Sequence, residues 1–206
     1  MVRRVIRLTV VLAAAGAIFG AFSATALAGN VSITVSPSGG GTICATYDHY
    51  TTAGFQWDGT YQCPLTTFNL SIYGDPTTWW IYHFTPTPAP GYSFVGWQGD
   101  CLGLGVCDYD SRVPSSSATA VFAPTASTLA AKLVSDTDKL KPGTALTDKA
   151  AAIKTAVDAA DTATACADIT NLLGLVKAQT GKKLSSAQAS LLTSDASNLA
   201  AALGCS

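Results

Sequence analysis

The chain has 206 residues with 13 acidic and 12 basic side chains, a formal net charge of −1. That length suits one medium domain or two small ones, and the near balance of charge excludes a protein that tracks a phosphate backbone by electrostatics. Glutamate is absent and only two histidines occur, so the inventory for acid–base catalysis is thin.

At the N-terminus, Arg3, Arg4 and Arg7 precede an apolar run from Leu8 to Phe22, and Ala26-Leu27-Ala28 offers a small-x-small cleavage site. Residues 1–28 therefore read as a signal peptide cut after Ala28, exported by the general or, given Arg3-Arg4, the twin-arginine route. The polar sequence that follows argues against a retained span, and with no cysteine after the site a lipid anchor is not expected either. The product is expected to be secreted, without membrane contact after cleavage. Beyond it the composition divides. Residues 29–124 hold six Asp, one Arg and nearly all the aromatics, whereas 125–206 hold seven Asp and eight Lys with no aromatic residue. All six cysteines lie after the cleavage site, which behind an export signal favours disulfides over metal ligation. Fifteen pairings are possible. The compositional break groups Cys44, Cys63, Cys101 and Cys107 in one half and Cys166 with Cys205 in the other.

Asn30 to Ser36 alternates, with Val31, Ile33 and Val35 on one face, and Pro37-Ser38-Gly39-Gly40-Gly41 signals a hairpin returning as a strand over Thr42–Thr46. Tyr47 to Gln62 reads as a long aromatic loop. Phe68, Leu70 and Ile72 alternate again up to a turn at Gly74-Asp75-Pro76. Trp79 to Phe84 is the most β-prone segment, and its parity sets Trp80, Tyr82 and Phe84 against Trp79, Ile81 and His83. Pro88 to Asp110 reads as a strand feeding a loop closed by cysteines. Pro124-Thr125-Ala126-Ser127 reads as a linker, after which the period changes to that of helices. The first stripe is Leu129, Leu133, Thr137 and Leu140, capped by Ser127 and stopped at Pro142-Gly143. The second is Leu146, Ala150, Ile153 and Val157. The third is Cys166, Ile169, Leu173 and Val176, ending near Gly181. The fourth is Leu192, Ala196, Leu199 and Leu203, opened by a capping box at Ser185-Ser186-Ala187-Gln188. Short turns between them imply an antiparallel four-helix module.

Gly91, Tyr92, Phe94, Gly96, Trp97, Gly99, Cys101, Gly103 and Cys107, with Thr85–Gly91 upstream and Ala118, Ala120 and Phe122 downstream, resemble the bacterial repeat domain related to the divergent InlB B-repeat of extracellular surface proteins. The resemblance covers about 30–124 and departs from the family between Cys44 and Cys63. It implies a small β-grasp-like fold, a passive extracellular role, Tyr82 and Phe84 facing inward, and a bridge between Cys101 and Cys107, which leaves Cys44 to pair with Cys63. In the helical part, Ala165-Cys166, Ile169, Leu172, Val176 to Leu184, Leu199 and Leu203-Gly204-Cys205 resemble the FIMAH domain, a helical module at the ends of secreted actinobacterial proteins. That resemblance supports a Cys166–Cys205 staple and carries no activity.

The expected architecture is thus α+β and disulfide-stapled: a signal peptide (1–28), a small all-β, β-grasp-like repeat domain (29–124), a linker (125–127) and a separate antiparallel four-helix FIMAH-like domain (128–206). His49 beside Asp48 reads as a surface histidine, and His83 as a packing residue on its strand. Asp100, Asp108 and Asp110 read as loop acids whose spacing matches no calcium loop, and Gly103-Leu104-Gly105 lacks the context of a phosphate cradle. No cofactor, metal or catalytic residue is expected. Trp57, Tyr61 and Trp79 have no assigned place in the core. They are candidates for ligand binding, offering flat apolar faces to a sugar ring or a protein partner, with covering of a small core as the alternative. The functional expectation is a secreted, non-catalytic cell-envelope or extracellular module that binds cell-wall or other extracellular polysaccharide, or another surface protein, and no nucleic acid. A purely structural spacer is the alternative, and an enzyme comes third.

Overall fold

The computed structural model describes residues 28–73, 77–113, 115–140 and 144–205. The signal peptide, apart from Ala28, lies outside the described residues, as do the turn at Gly74-Asp75-Pro76 and the stop at Pro142-Gly143. The fold is α+β, with eight strands followed by four helices among the described residues.

Alternating apolar residues build two four-stranded sheets. The first contains β1 (Ala28–Ser36), β4 (Thr67–Tyr73), β6 (Tyr92–Gly99) and β8 (Ser115–Pro124) in the order β4-β1-β8-β6. The first and last strands, β1 and β8, run parallel at its centre, setting Ile33 beside Ala118 and Val35 beside Ala120. The second contains β2 (Gly41–Thr51), β3 (Gly54–Leu65), β5 (Thr78–Pro88) and β7 (Cys107–Asp110) in the antiparallel order β3-β2-β5-β7. Val31, Ile33, Ile43, Phe68, Phe84 and Trp97 form the shared core, with Ile43 and Phe84 wholly buried.

Two strand expectations do not hold. The turn at Pro37–Gly41, closed by Gly40 N–H on Pro37 O at 2.9 Å, does not make a hairpin. Both edges of β1 are occupied, by β4 and β8, so β2 crosses into the other sheet. The stretch from Tyr47 to Gln62 is not a loop but most of a β2–β3 hairpin, in which Tyr50 pairs with Phe55 and His49 with Trp57. Cross-strand aromatic pairs stabilise such a ladder at about 0.2–1 kcal/mol each. A bulge between Phe94 and Gly96, with Gly96 at φ +143, shifts the parity of β6 so that Trp97 joins the core. The Cys101–Cys107 loop then folds back on this strand: Trp97 Nε1 donates to Gly105 O at 2.9 Å, and Trp97 N–H donates to Gly103 O at 3.0 Å.

The helices are α1 (Ala126–Leu140), α2 (Thr144–Asp158), α3 (Thr162–Gln179) and α4 (Ser186–Leu203). In the bundle α1 packs on α2 and α4, and α3 on the same two. Leu133, Leu146, Ile153, Leu172, Leu192 and Leu199 fill a second core. Ile169 and Val176 of the α3 stripe are buried as expected, but Ala165 and Leu172 take the places expected for Cys166 and Leu173. Helix α1 begins before Ser127: Thr125 Oγ1 accepts from Thr128 N–H at 3.3 Å and does the capping. The Ser185 capping box is present. Lys132 Nζ reaches Asp195 at 2.6 Å and Asp136 at 2.7 Å, clipping α1 to α4, and Lys139 joins Asp136 at 3.0 Å. Hydrogen bonds from Lys132 and then Lys139 outweigh burial and hold the Asp136 carboxyl down from 3.8 to about 2. Thr125 N–H and Thr128 Oγ1 both donate to Gly91 O, at 2.8 and 3.0 Å, and tie the start of α1 to the turn before β6.

Three disulfides join Cys44 to Cys63, Cys101 to Cys107 and Cys166 to Cys205, with Cα separations of 4.5, 5.6 and 5.6 Å. The first closes the base of the β2–β3 hairpin. The third ties α3 to the residue after Gly204, whose φ of +71 ends α4.

Candidate functional site

The two faces of the β3-β2-β5-β7 sheet differ in chemistry. On one, register places Ala45 opposite Phe84, Tyr47 opposite Tyr82 and His49 opposite Trp80. On the other side of β2, His49 lies opposite Trp57 and Tyr47 opposite Gly59. Alternation puts all these side chains on one face. Near the Cys44 end that face is the buried core, and toward the hairpin tip burial falls and the rings stay partly open. Trp57 contacts Tyr47 at 5.4 Å edge-to-face and His49 at 5.1 Å between centroids, and His49 contacts Trp80 at 5.2 Å. Tyr61, two residues beyond Gly59 and at a register shift in β3, lies on the same face, edge-on to Phe68 at 5.2 Å and to Tyr82 at 6.3 Å. Gly59 permits this layout, because a Cβ there would stand 2.8 Å from Tyr47 Oη. The result is a shelf on which Trp57 and Tyr61 are 50% and 48% exposed. Beside them lies a recess of about 200 Å³ walled by Tyr47, Tyr61, Trp80 and Tyr82. Burial, followed by the neighbouring Tyr61, Tyr47 and Tyr109, pushes the Tyr82 phenol up to about 12, so it stays neutral.

Trp79 lies on the opposite face, so the three aromatics singled out by the sequence do not form one platform. Its ring stacks on Tyr50 at 5.7 Å and 7°, and the Arg112 guanidinium sits 4.6 Å from its centroid. Arg112 is forked onto Asp110, and these hydrogen bonds hold the Asp110 carboxyl below its usual range against the opposing effect of burial. Next along the strand, His83 Nδ1 lies 2.7 Å from Asp108, and its Nε2 lies 3.4 Å from Asp48. Burial alone would lower the His83 pKa, but the bonds to Asp108 and Asp48 together win and raise it. This face therefore ties β2, β5 and β7 together with charge and stacking.

The remaining candidates are engaged singly. Asp100 accepts from Ser117 N–H at 2.7 Å, Asp108 pairs with His83, and Asp110 with Arg112. Among the described residues no group of three His, Cys or Asp side chains is placed to hold a metal ion. On the other sheet, Ser32, Thr34, Gln98, Ser117 and Thr119 line a shallow polar groove of about 390 Å³. His49, expected as a surface residue of a polar loop, instead packs between two Trp rings with its Nδ1 buried and unpartnered. Sequence reasoning missed Tyr47, His49 and Trp80 as members of the shelf. The available signal was the alternation of Ala45, Tyr47 and His49, which continues the core parity of Ile43 into the supposed loop.

No helix among the described residues is long and apolar enough to cross a membrane. No curated protein and no solved structure matches the chain. The hairpin that carries Trp57 and Tyr61 precedes a stretch that matches a family model and contributes Trp80 and Tyr82 to the recess. That stretch, residues 67–126, from the first strand residue after the hairpin to the start of α1, is similar to the divergent InlB B-repeat domain.

Proposed function

We propose that this protein is an exported, non-catalytic binding module of the bacterial cell envelope or extracellular space that stacks neutral polysaccharide on Trp57 and Tyr61. The observation that carries the reading is the arrangement of these half-exposed rings on one sheet face, backed by Tyr47, His49, Trp80 and Tyr82. Exposed Trp and Tyr supply rigid apolar area with a polar edge, which suits the C–H faces of a sugar ring. Three disulfides and the similarity of residues 67–126 to a bacterial repeat domain support an oxidising, extracellular setting. In this reading residues 1–28 are removed on export, 29–124 form the binding domain, and 128–206 form a FIMAH-like module that holds no ligand of its own.

The test is co-sedimentation of the disulfide-bonded protein with insoluble cell-wall glycan, chitin and cellulose, beside a Trp57→Ala variant. Retention on one polymer, lost in a variant that still folds, supports the reading. Failure to sediment with any of them overturns it and leaves a structural spacer as the better account.

A further inference from the structure

We infer that the recess walled by Tyr47, Tyr61, Trp80 and Tyr82 is an aromatic cage for a quaternary ammonium group, of the kind carried by choline and its esters. The inference rests on reading this face as the binding face, but not on the ligand being a polymer.

Aromatic side chains form the whole recess, and no carboxylate or cation lines it. The walls are set at angles to one another, Tyr47 to Tyr82 at 53° with centroids 6.2 Å apart and Tyr61 to Tyr82 at 75° and 6.3 Å. Rings tilted in this way do not stack flat on each other, and they border an open recess instead. Ring faces that border such a space attract a diffuse cation through their quadrupoles, over an anionic guest. The surrounding charge acts in the same direction. Residues 29–124 contain six Asp and no Lys, and their one Arg is held on the opposite face by Asp110 and Trp79.

The kind of cation follows from what the walls lack. A primary ammonium or a guanidinium would surrender tightly held water on entry and requires acceptors in return. No carboxylate lines the recess, and tyrosine hydroxyls are the weaker acceptors its lining side chains offer. A tetra-alkylated nitrogen has no N–H to satisfy, holds its water weakly, and presents methyl groups that pack on the rings. Phosphate, carboxylate or sulfate groups would find no cation within the recess.

The experiment is a calorimetric titration of the disulfide-bonded protein with tetramethylammonium and with choline, against 3,3-dimethylbutanol, the neutral carbon isostere of choline. Saturable binding is expected for both cations, with the isostere about tenfold weaker or worse. Tyr61→Leu is expected to weaken choline about tenfold, Tyr61→Phe to retain binding, and Trp79→Ala on the far face to leave it unchanged. Near-ultraviolet circular dichroism checks that each variant keeps its fold. Absence of saturable cation binding overturns the cage, and so does equal affinity for the isostere or indifference to Tyr61→Leu. Failure of the cations with polymer retention intact removes the cage and leaves the glycan shelf. Binding of the cations without polymer retention keeps the cage and removes the shelf.

Discussion

Trp57 and Trp79 stand on opposite faces of one sheet, so replacing each with alanine separates ligand binding from folding. Trp57 is 50% exposed. A Trp side chain offers roughly 250 Å², so covering the open half with a sugar ring removes about 125 Å² from water and is worth at most about 3 kcal/mol. Ordering and polar desolvation offset part of this and leave about 2 kcal/mol, a loss of roughly thirtyfold in affinity for Trp57→Ala. The same substitution also removes ring contacts with Tyr47 and His49, lowering stability by about 1 kcal/mol. Trp79→Ala should do the reverse. It loses a stack on Tyr50 and a cation–π contact with Arg112, together about 1–2 kcal/mol of stability, with polymer binding unchanged. Binding isotherms on the retaining polymer and urea midpoints of the same preparations measure both quantities. Equal loss of binding in the two variants refutes the assignment of the site to one face. Loss confined to Trp79→Ala moves the site to the other.

Three further outcomes follow from the charges and bridges. Lys132→Met leaves Asp136 and Asp195 buried with Lys139 as the remaining cation at hand, and should cost about 2–3 kcal/mol at neutral pH. Because the Asp136 pKa is depressed in the folded protein, its contribution is present above 3.8 and lost as pH falls toward about 2; with only Lys139 left on Asp136, urea midpoints of the variant should show a smaller acid-side drop. The His83 pKa is raised, so its bridge to Asp108 and Asp48 contributes fully below the unfolded value of 6.5 and fades as pH rises through the folded one. With Asp108 well exposed the effect is under about 1 kcal/mol, seen as a small alkaline loss of stability in melts that His83→Leu abolishes. Replacing Cys166 and Cys205 by Ser frees a 39-residue separation and should destabilise the bundle by about 4 kcal/mol. Residues 125–206 contain no aromatic side chain, so near-ultraviolet circular dichroism reports the sheets alone and should hold while far-ultraviolet helicity melts earlier. Coincident loss of both signals would refute independent melting of the bundle.

The strands and helices that pattern alone identifies are those where one face is buried along its length. Val31 and Ile33, Trp80 to Phe84, and the stripes of α2 and α4 alternate or recur at the period of their element because one core demands it. Half of the α3 stripe departs from expectation because adjacent positions, Ala165 with Cys166 and Leu172 with Leu173, are almost equally suited to the core, and the choice depends on neighbouring helices. Turns are less informative. Pro37 to Gly41 bends the chain equally well into a hairpin or across to another sheet, and only the occupancy of both edges of β1 decides between them. The β2–β3 hairpin is hidden for a different reason. Its turn, around Thr52 and Ala53, lacks the Asn-Gly signal, and its aromatics alternate on a face only half buried.

The site is hidden by the same circumstance. Alternation tells which residues of one strand share a face, but it does not relate the faces of two strands until their register is known. Trp57, Tyr61 and Trp79 are visible individually as aromatics without a core position. Pairing of His49 with both Trp57 and Trp80, and of Tyr47 with Tyr82, puts the shelf on the inward parity of β5, while Trp79 is paired to Tyr50 on the other. A slip of one residue between β2 and β5 would exchange Trp79 for Trp80 behind His49 and dismantle the recess. The binding proposed for this face therefore requires that register, which the β2–β5 ladder holds from Gly41 opposite Pro88 to Thr51 opposite Thr78. The Tyr50–Trp79–Arg112 stack lies on the far side without touching the shelf, so a change there that leaves the register intact should alter stability and leave affinity untouched.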